Sequence, residues 1–426
     1  MHQLRTLLRS SKLFFELLHR NPNSHFLRRK NFSTNDRPAV ILGIETSCDD
    51  TGIAIVDSTG KVLGEAHNSQ ITFHLPLGGI NPPNARALHL QNIQSVYEEC
   101  LRSADLKLSD VDAIAVTVEP GLPLSLIVGR DFALNLSRVA DKPLIPIHHM
   151  KAHALTARMT QKVDFPFLVM LISGGHSLLA IAESPDQFKL LGQTFDDAPG
   201  EALDKVARRL KLMNILEYSE ISGGEAIELA ARKADNPDQF NFPGILMSYR
   251  DCNFSFSGLK NIARRHIMDQ EETHNIKLDA IIPDVNNLCA GFLISMTRHL
   301  CHRAQRAMEF VLKKELFPED NRTFVVSGGV ASNNFIANAL NKVCQETEFR
   351  FVRPPPRLCS DNGIMIAWNG VEKYLTNSGV LRDRNEIDKV DIAHRSPIGE
   401  DWRKIVLDEG IKRKWVKLKF NELIDR

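Results

Sequence analysis

The 426-residue chain has no apolar run near the roughly 18 residues that a helix needs to cross a bilayer. Membrane insertion is therefore not expected. It has no Cys-x-x-Cys pair, and its seven cysteines (Cys48, Cys100, Cys252, Cys289, Cys301, Cys344, Cys359) are scattered and odd in number. That argues against a disulfide framework or a cysteine-bound zinc, and for a reducing compartment. Gly-Lys-Ser/Thr is absent, so no Walker A loop exists, and no dinucleotide fingerprint follows a strand. The zincin pattern His-Glu-x-x-His is absent as well.

What is present suits a soluble globular protein: 43% of residues are hydrophobic and 25% charged. The length exceeds one ordinary domain and suggests two lobes. The first 36 residues stand apart. They hold seven basic residues (Arg5, Arg9, Lys12, Arg20, Arg28, Arg29, Lys30) and two acidic ones, Glu16 and Asp36. Leu4, Leu7, Leu8, Phe14, Phe15, Leu17 and Leu18 can share one helical face, with basic residues opposite. This is the composition of a mitochondrial transit peptide, cleaved near Phe32 or Ser33; the alternative is a basic nucleic-acid-binding arm. Without seven of its 53 Lys and Arg and two of its 52 Asp and Glu, the remainder carries 46 basic and 50 acidic residues, a net charge of −4. Nucleic-acid binding would then rest on a local patch.

Residues 39–57 read AVILGIETSCDDTGIAIVD: an apolar run, a polar turn and a second apolar run, the layout of a β-hairpin. Residues 166–182, PFLVMLISGGHSLLAIA, repeat that layout. Two such hairpins suggest two lobes of similar fold, although strand–turn–strand also recurs by chance. Between them lie a helix from His89 to Ser103, a strand from Val111 to Val118 and a helix from about Ser125 to Ala140. Later, a strand from Thr323 to Val326 ends in Ser327-Gly328-Gly329, and a helix spans roughly Asn334 to Cys344. In α/β folds of this kind, ligands sit at the carboxyl ends of strands, where these glycine turns lie. The segment from about Ser396 onward is charged and amphipathic and carries no recognisable chemistry.

Residues 148–153 read His-His-Met-Lys-Ala-His. His149 and His153, four apart, share one face of a helix and could hold a divalent metal; two hydrogen-bonded histidines are the other reading. His148 faces elsewhere. Met150 fills the position of a metalloprotease's general base. Asp361, in a loop before Asn362-Gly363, is a possible third ligand or simply part of a turn. Two histidines and a carboxylate with open positions suit non-heme iron or zinc. The turns Ser173-Gly174-Gly175 and Ser327-Gly328-Gly329 could bring backbone N–H groups to phosphate or carboxylate oxygens. Glu45, Asp49 and Asp50 crowd the first hairpin turn, and Asp196, Asp197, Glu201 and Asp204 form a second acidic cluster followed by Lys205, Arg208 and Arg209. Each reads equally as a solvated turn or helix face. Arg250, Lys260, Arg264 and Arg265 interleave with Phe254 and Phe256, either as an RNA patch or as a strand with buried phenylalanines.

Together these stretches resemble the tRNA N6-adenosine threonylcarbamoyltransferases of the TsaD type, in their mitochondrial eukaryotic form. The matching residues are Gly43 to Thr51, Gly78-Gly79-Ile80, His149 to His153, Leu171 to His176, Asp196-Asp197 through Gly200 to Lys205, Phe254 to Lys260, Ser327 to Val330 with Asn333, and Asp361-Asn362-Gly363. They occur in family order over roughly residues 40–370. The resemblance implies an ASKHA (actin-like ATPase) fold, two RNase H-like lobes with the active site in the cleft between them. It implies domains at 1–36 (transit peptide), 37–150 and 151–350 (the two lobes), and 351–426 (the metal-ligand loop and helices returning to the first lobe). The implied reaction moves threonylcarbamoyl from threonylcarbamoyl-AMP to N6 of the adenosine at tRNA position 37.

By the same resemblance, His149, His153 and Asp361 hold one divalent metal ion per subunit, iron or zinc. Leu171, Ile172, Ser173, Gly174, Gly175, Asp204, Gly224 and Asn333 bind the adenylate. The chemistry of the reaction, not the resemblance, points to Glu45 as the acidic residue near the reacting centre, with the role of base. The expected partners are mitochondrial tRNAs decoding ANN codons, a separate synthase that supplies the adenylate, and a second copy in a homodimer in the mitochondrial matrix. Three departures stand out: Lys151 lies where the family often has Glu, Glu119 and Pro123-Leu124 replace a more glycine-rich loop, and Pro83 stands where bacterial members commonly carry Glu. Lys151 leaves the metal preference open. The rival readings are a glycoprotein endopeptidase-like metallopeptidase, which lacks its base here, and an ASKHA-type small-molecule kinase or ATPase, which would not need the His-x-x-x-His and Asp361 set.

Overall fold

A computed structural model of the chain describes residues 37–74, 77, 79–412 and 414–419. The transit-peptide segment lies outside the described residues. Among the described residues two compact units are present, one formed by those up to Ile147 with Asn362–Arg395, the other by His148–Asp361 with those from Ser396 on.

The first unit is built on strands β1 (Val40–Glu45), β2 (Asp50–Asp57), β3 (Val62–Ser69), β4 (Ala113–Glu119) and β5 (Leu144–His148), in the order β3-β2-β1-β4-β5. β1 pairs antiparallel with β2 and parallel with β4, and β2 pairs antiparallel with β3. β1 is buried along its whole length, as its unbroken apolar run requires. Helices α1 (Pro82–Ala104) and α2 (Pro123–Ala140) connect the strands. α1 begins earlier than its apolar periodicity suggests. Asn81 caps it, its side chain accepting from Asn84 N at 3.2 Å, and Pro82 fits a first turn where no backbone donor is needed.

The second unit repeats the plan. Strands β6 (Phe167–Ile172), β7 (Ser177–Ala182) and β8 (Phe188–Gln193) form an antiparallel meander. β9 (Thr323–Ser327) then lies parallel to β6, and β10 (Arg350–Val352) parallel to β9. The order β10-β9-β6-β7-β8 is that of the first sheet read from its other edge. Both sheets therefore have the RNase H-like order, and its duplication is the ASKHA-type fold. A short strand β11 (Glu400–Asp401) extends the second sheet beside β8. That corrects one expectation: residues from Ser396 on belong with the second unit, because their backbone completes its edge. Only Asn362–Arg395 return to the first.

Helices α3 (His149–Thr160), α4 (Pro199–Arg209), α5 (Gly223–Arg232), α6 (Ser257–Thr273), α7 (Val285–Lys313) and α8 (Asn334–Glu346) complete the second unit, and α9 (Gly363–Thr376) belongs to the first. α7 is buried on almost every face. Its buried Arg303 donates through its terminal nitrogens to the carbonyls of Leu246 (2.7 Å), Tyr249 (3.2 Å) and Asp251 (2.8 Å). Among the described residues no helix is long and apolar enough to cross a membrane.

Phe254 and Phe256 are fully buried and stack on each other, so the RNA-stacking reading of these rings gives way to the buried one. His299 of α7 packs edge-on against both, and its Nε2 accepts from Ser255 N at 3.3 Å. Burial, with the nearby charge of Arg303, pushes His299 down to about 3. A histidine in the unfolded chain takes up its proton near pH 6.5. The stability this neutral ring provides is present above about pH 6.5 and is lost as pH falls from there towards the folded value. The expected slope is about 1.4 kcal/mol per pH unit for one proton. Urea unfolding of His299→Gln between pH 6.5 and 4.5 should show a pH slope shallower than wild type by about that amount.

Candidate metal centre and glycine turn

Two histidines on one helical face make a site only if something fixes the helix and supplies a third donor. His148 fixes the start of α3: it is buried, and its Nδ1 accepts from Met150 N at 3.2 Å. Burial, with the charge of Lys151, lowers His148 to about 3, so it caps as a neutral ring. One turn of helix then aligns His149 and His153, both buried, with ring centroids 4.7 Å apart. Asp361, the last residue before the chain returns to the first unit, brings Oδ1 to 3.0 Å from His153 Nε2 and 3.4 Å from His149 Nε2.

The three ligand atoms lie within 4.8 Å of one another. Donors about 2.1 Å from a shared divalent ion stand roughly 3–3.5 Å apart. Both His–Asp361 pairs have that spacing, so the three residues suit such an ion once the two rings turn towards it, and they leave coordination positions open. Burial alone would raise Asp361, but the charge of His149 and hydrogen bonds from both rings outweigh it and hold the carboxyl well below the usual range. It is therefore an anion ready to ligate. Lys151 turns its Nζ to Asp186 O, to which it donates at 2.8 Å, and lies 5.7 Å over the Phe188 ring.

His176 also belongs to this neighbourhood and was not singled out as a site residue from the sequence. Burial, then the charge of His149, lowers it to about 4, against the opposing pull of Asp361. It closes the turn after β6, where Ser173 N donates to His176 O at 2.9 Å and His176 N donates to Ser173 Oγ at 3.1 Å. The signal available was its place directly after Ser-Gly-Gly.

The sequence-derived adenylate residues gather around that turn unevenly. Leu171 and Ile172 are strand residues with fully buried side chains, so only their main chain could meet a ligand. Gly174 and Gly175 are exposed, with open space where a Cβ would stand. Two other glycines let backbone crowd the turn. A Cβ on Gly200, at the start of α4, would meet Ser173 O and Gly174 Cα at 2.8 Å. Gly328 has φ +97, and its Cβ would lie 2.4 Å from Ile172 O. Asn333 caps α8, its Oδ1 accepting from Ile336 N at 3.0 Å, while its buried Nδ2 has no partner among the described residues. That donor is available to a ligand or water. Asp204 lies beside the start of α5: the N–H groups of Gly224 and Gly223 favour its charged form, but burial outweighs them and raises the carboxyl above its usual range.

The second acidic cluster is structural. Asp196 Oδ1 accepts from Phe256 N at 2.8 Å and Ser257 N at 3.3 Å, and Oδ2 accepts from Ser255 Oγ at 2.6 Å and Ser257 Oγ at 2.7 Å. Asp197 pairs with Lys260 and Lys205. Lys260 is thereby committed inside the unit, whereas Arg250, Arg264 and Arg265 are exposed. Glu45 lies at the end of β1 in the first unit and is fully buried. Its Oε1 accepts from Ser47 N at 2.5 Å and its Oε2 from Thr117 Oγ1 at 2.6 Å. This carboxylate orders the turn that follows it.

Two measurements test the site. Metal analysis of the purified chain should find bound divalent ion, and His149→Ala, His153→Ala and Asp361→Ala should each reduce it at least tenfold while unfolding remains cooperative. Gly328→Ala should destabilise the protein by about 1–3 kcal/mol in urea titration, because an alanine there is both strained and crowded.

The model of the family "TsaD: tRNA N6-adenosine threonylcarbamoyltransferase" matches residues 61–368. The chain is 47% identical over 385 residues to the probable tRNA N6-adenosine threonylcarbamoyltransferase, mitochondrial, of Drosophila melanogaster, covering 89% of this chain and 94% of that one. It is 46% identical over 395 residues to the Homo sapiens tRNA N6-adenosine threonylcarbamoyltransferase, mitochondrial, covering 92% and 94%. To the tRNA N6-adenosine threonylcarbamoyltransferase of Rhizobium johnstonii it is 40% identical over 344 residues, covering 79% and 90%. The matched span contains His149, His153, Asp361 and the Ser173–His176 turn, and on these grounds the chain belongs to the TsaD family of tRNA N6-adenosine threonylcarbamoyltransferases.

Proposed function

We propose that the chain transfers threonylcarbamoyl from threonylcarbamoyl-AMP to N6 of the adenosine at tRNA position 37. The observation that carries this reading is the gathering of His149, His153 and Asp361, with His176 of the glycine turn, in a chain of this family. The reaction takes place in the mitochondrion, as for the fly and human relatives named mitochondrial. The N-terminal 36 residues are read as the address that directs the chain to the matrix.

The adenylate is a mixed anhydride and already activated, so no protein nucleophile is required. The task is to orient a weak amine nucleophile, take its proton and stabilise charge on the carbamoyl oxygen. His149, His153 and Asp361 would hold one divalent ion, iron or zinc, which when bound supplies Lewis acidity to the threonylcarbamoyl group. The N–H groups of Gly174 and Gly175, with no side chains over them, suit the phosphate of the departing AMP. Asn333 Nδ2 offers a hydrogen bond to the nucleoside part, and Asp204 with Gly224 forms a polar edge suited to the ribose. Leu171, Ile172 and Ser173 contribute backbone. Arg250, Arg264 and Arg265 contact tRNA phosphates, a reading their exposure supports. The substrates are mitochondrial tRNAs decoding ANN codons, the adenylate comes from a separate synthase, and the active species is a homodimer.

Purified chain lacking residues 1–32, given threonylcarbamoyl-AMP and unmodified tRNA, should yield threonylcarbamoyladenosine by mass spectrometry of digested tRNA. His149→Ala and Asp361→Ala should lower the yield by at least two orders of magnitude. Absence of product from folded, metal-loaded wild type, with the synthase also supplied, would overturn the reading. Glu45 decides between two roles: as the base it would lose transfer in both Glu45→Gln and Glu45→Ala, whereas as the organiser of its turn it would keep most activity in Glu45→Gln only. Its two short hydrogen bonds favour the organiser.

A further inference from the structure

We propose that Phe195 is a stacking platform for an unpaired base of the RNA substrate, at the rim of the Ser173–His176 turn; the inference rests on the transferase reading above. Its ring is 61% exposed, although the surrounding backbone is fixed on every side. Thr194 N donates to Ser177 O at 2.9 Å, which ties the segment to one end of the turn. Gly200 N donates to Ser173 O at 3.1 Å, which ties it to the other. Phe195 N donates to Phe254 O at 3.0 Å, and Thr194 Oγ1 donates to Asp197 O at 2.8 Å. Asp196, the next residue, is locked by four hydrogen bonds to residues 255–257.

Exposing a phenylalanine costs hydrophobic stabilisation, and a rigid frame keeps it exposed. An exposed ring on a fixed backbone suits base stacking, since only its two χ angles are ordered on binding. Its position selects the partner. The segment 194–200 frames the turn proposed to take the adenylate, bonded to it at Ser173 and Ser177, so a ring on this segment lies beside the place where the amine attacks. That amine belongs to a base in a single-stranded loop, and unpaired bases are recognised by stacking on aromatic side chains. The rings that the sequence offered for this purpose, Phe254 and Phe256, are buried and cannot serve. Phe254 instead holds Phe195 in place, its carbonyl accepting from Phe195 N.

The test uses the active enzyme with an unmodified anticodon stem-loop. Phe195→Ala should raise KM for the RNA by about 5- to 150-fold, the loss expected from one base–aromatic stack, with KM for threonylcarbamoyl-AMP and metal content unchanged. Phe195→Tyr should restore the wild-type KM, and Phe195→Leu should not. In Phe195→Trp, titrated at fixed adenylate, the indole fluorescence should be quenched by the stem-loop and not by a duplex of the same length. An unchanged KM in Phe195→Ala, equal rescue by leucine, or no quenching would overturn the proposal. So would a shift of Phe195→Ala from dimer to monomer in sedimentation at unchanged KM, which would assign the ring to a contact between copies. Failure of the wild-type enzyme to modify the RNA would instead count against the transferase reading.

Discussion

The second unit depends on backbone meeting backbone at the carboxyl end of β6. Gly200 comes up to Ser173 and Gly174, and Gly328 comes up to Ile172, at distances where no Cβ could stand. Side chains at these points would push α4 and the turn after β9 away from the turn after β6. With glycine there, main-chain donors from one exposed turn face outward, held by neighbours that offer only backbone and therefore leave room for a ligand's phosphate and acyl group. The same economy explains why Gly174 and Gly175 themselves have open space above them.

Electrostatics builds the rest. Asp361 is an anion in a setting that would otherwise disfavour one, and two imidazole N–H groups compensate it. A cation bound there would replace those two donors with one charge, and the three side chains already converge at ligand spacing. His148 and His176 are both held neutral nearby, mainly by burial, so the cluster does not accumulate positive charge that would repel a metal. The acidic residues Asp196 and Asp197 take a different part. They cap α6, tie its first turn to α4, and hold the segment between β8 and α4 rigid.

The duplicated sheet places these parts where open α/β sheets place ligands, beyond the carboxyl ends of parallel strands. β6 and β9 run parallel, and each ends in Ser-Gly-Gly. In the first unit the corresponding strand β1 ends in Glu45, whose carboxylate organises Ser47 and Thr117. The two units thus share a strand order and differ in the chemistry of the turn after their first strand: glycine backbone in one, a buried carboxylate in the other.

Patterns that act over a few residues were legible from the sequence alone. The alternation of apolar run, turn and apolar run marked both hairpins, because a strand's neighbours in a hairpin are also its neighbours in the chain. The spacing of His149 and His153 announced a shared face, because one helical turn is a local distance. Ser173-Gly174-Gly175 declared a backbone turn. Tertiary structure alone decided the partners. Phe254 and Phe256 are compatible with surface or core, and only the packing of His299 and α7 buried them. Lys260 read as a free cation until Asp197, distant in sequence, neutralised it. Phe195 carried no signal, since exposure is a property of the surrounding fold. The edge strand at Glu400–Asp401 was too short to read, because two residues define a strand only by the neighbour they bond. Burial and partner choice are sums over segments far apart in the chain, and a linear pattern does not contain that sum.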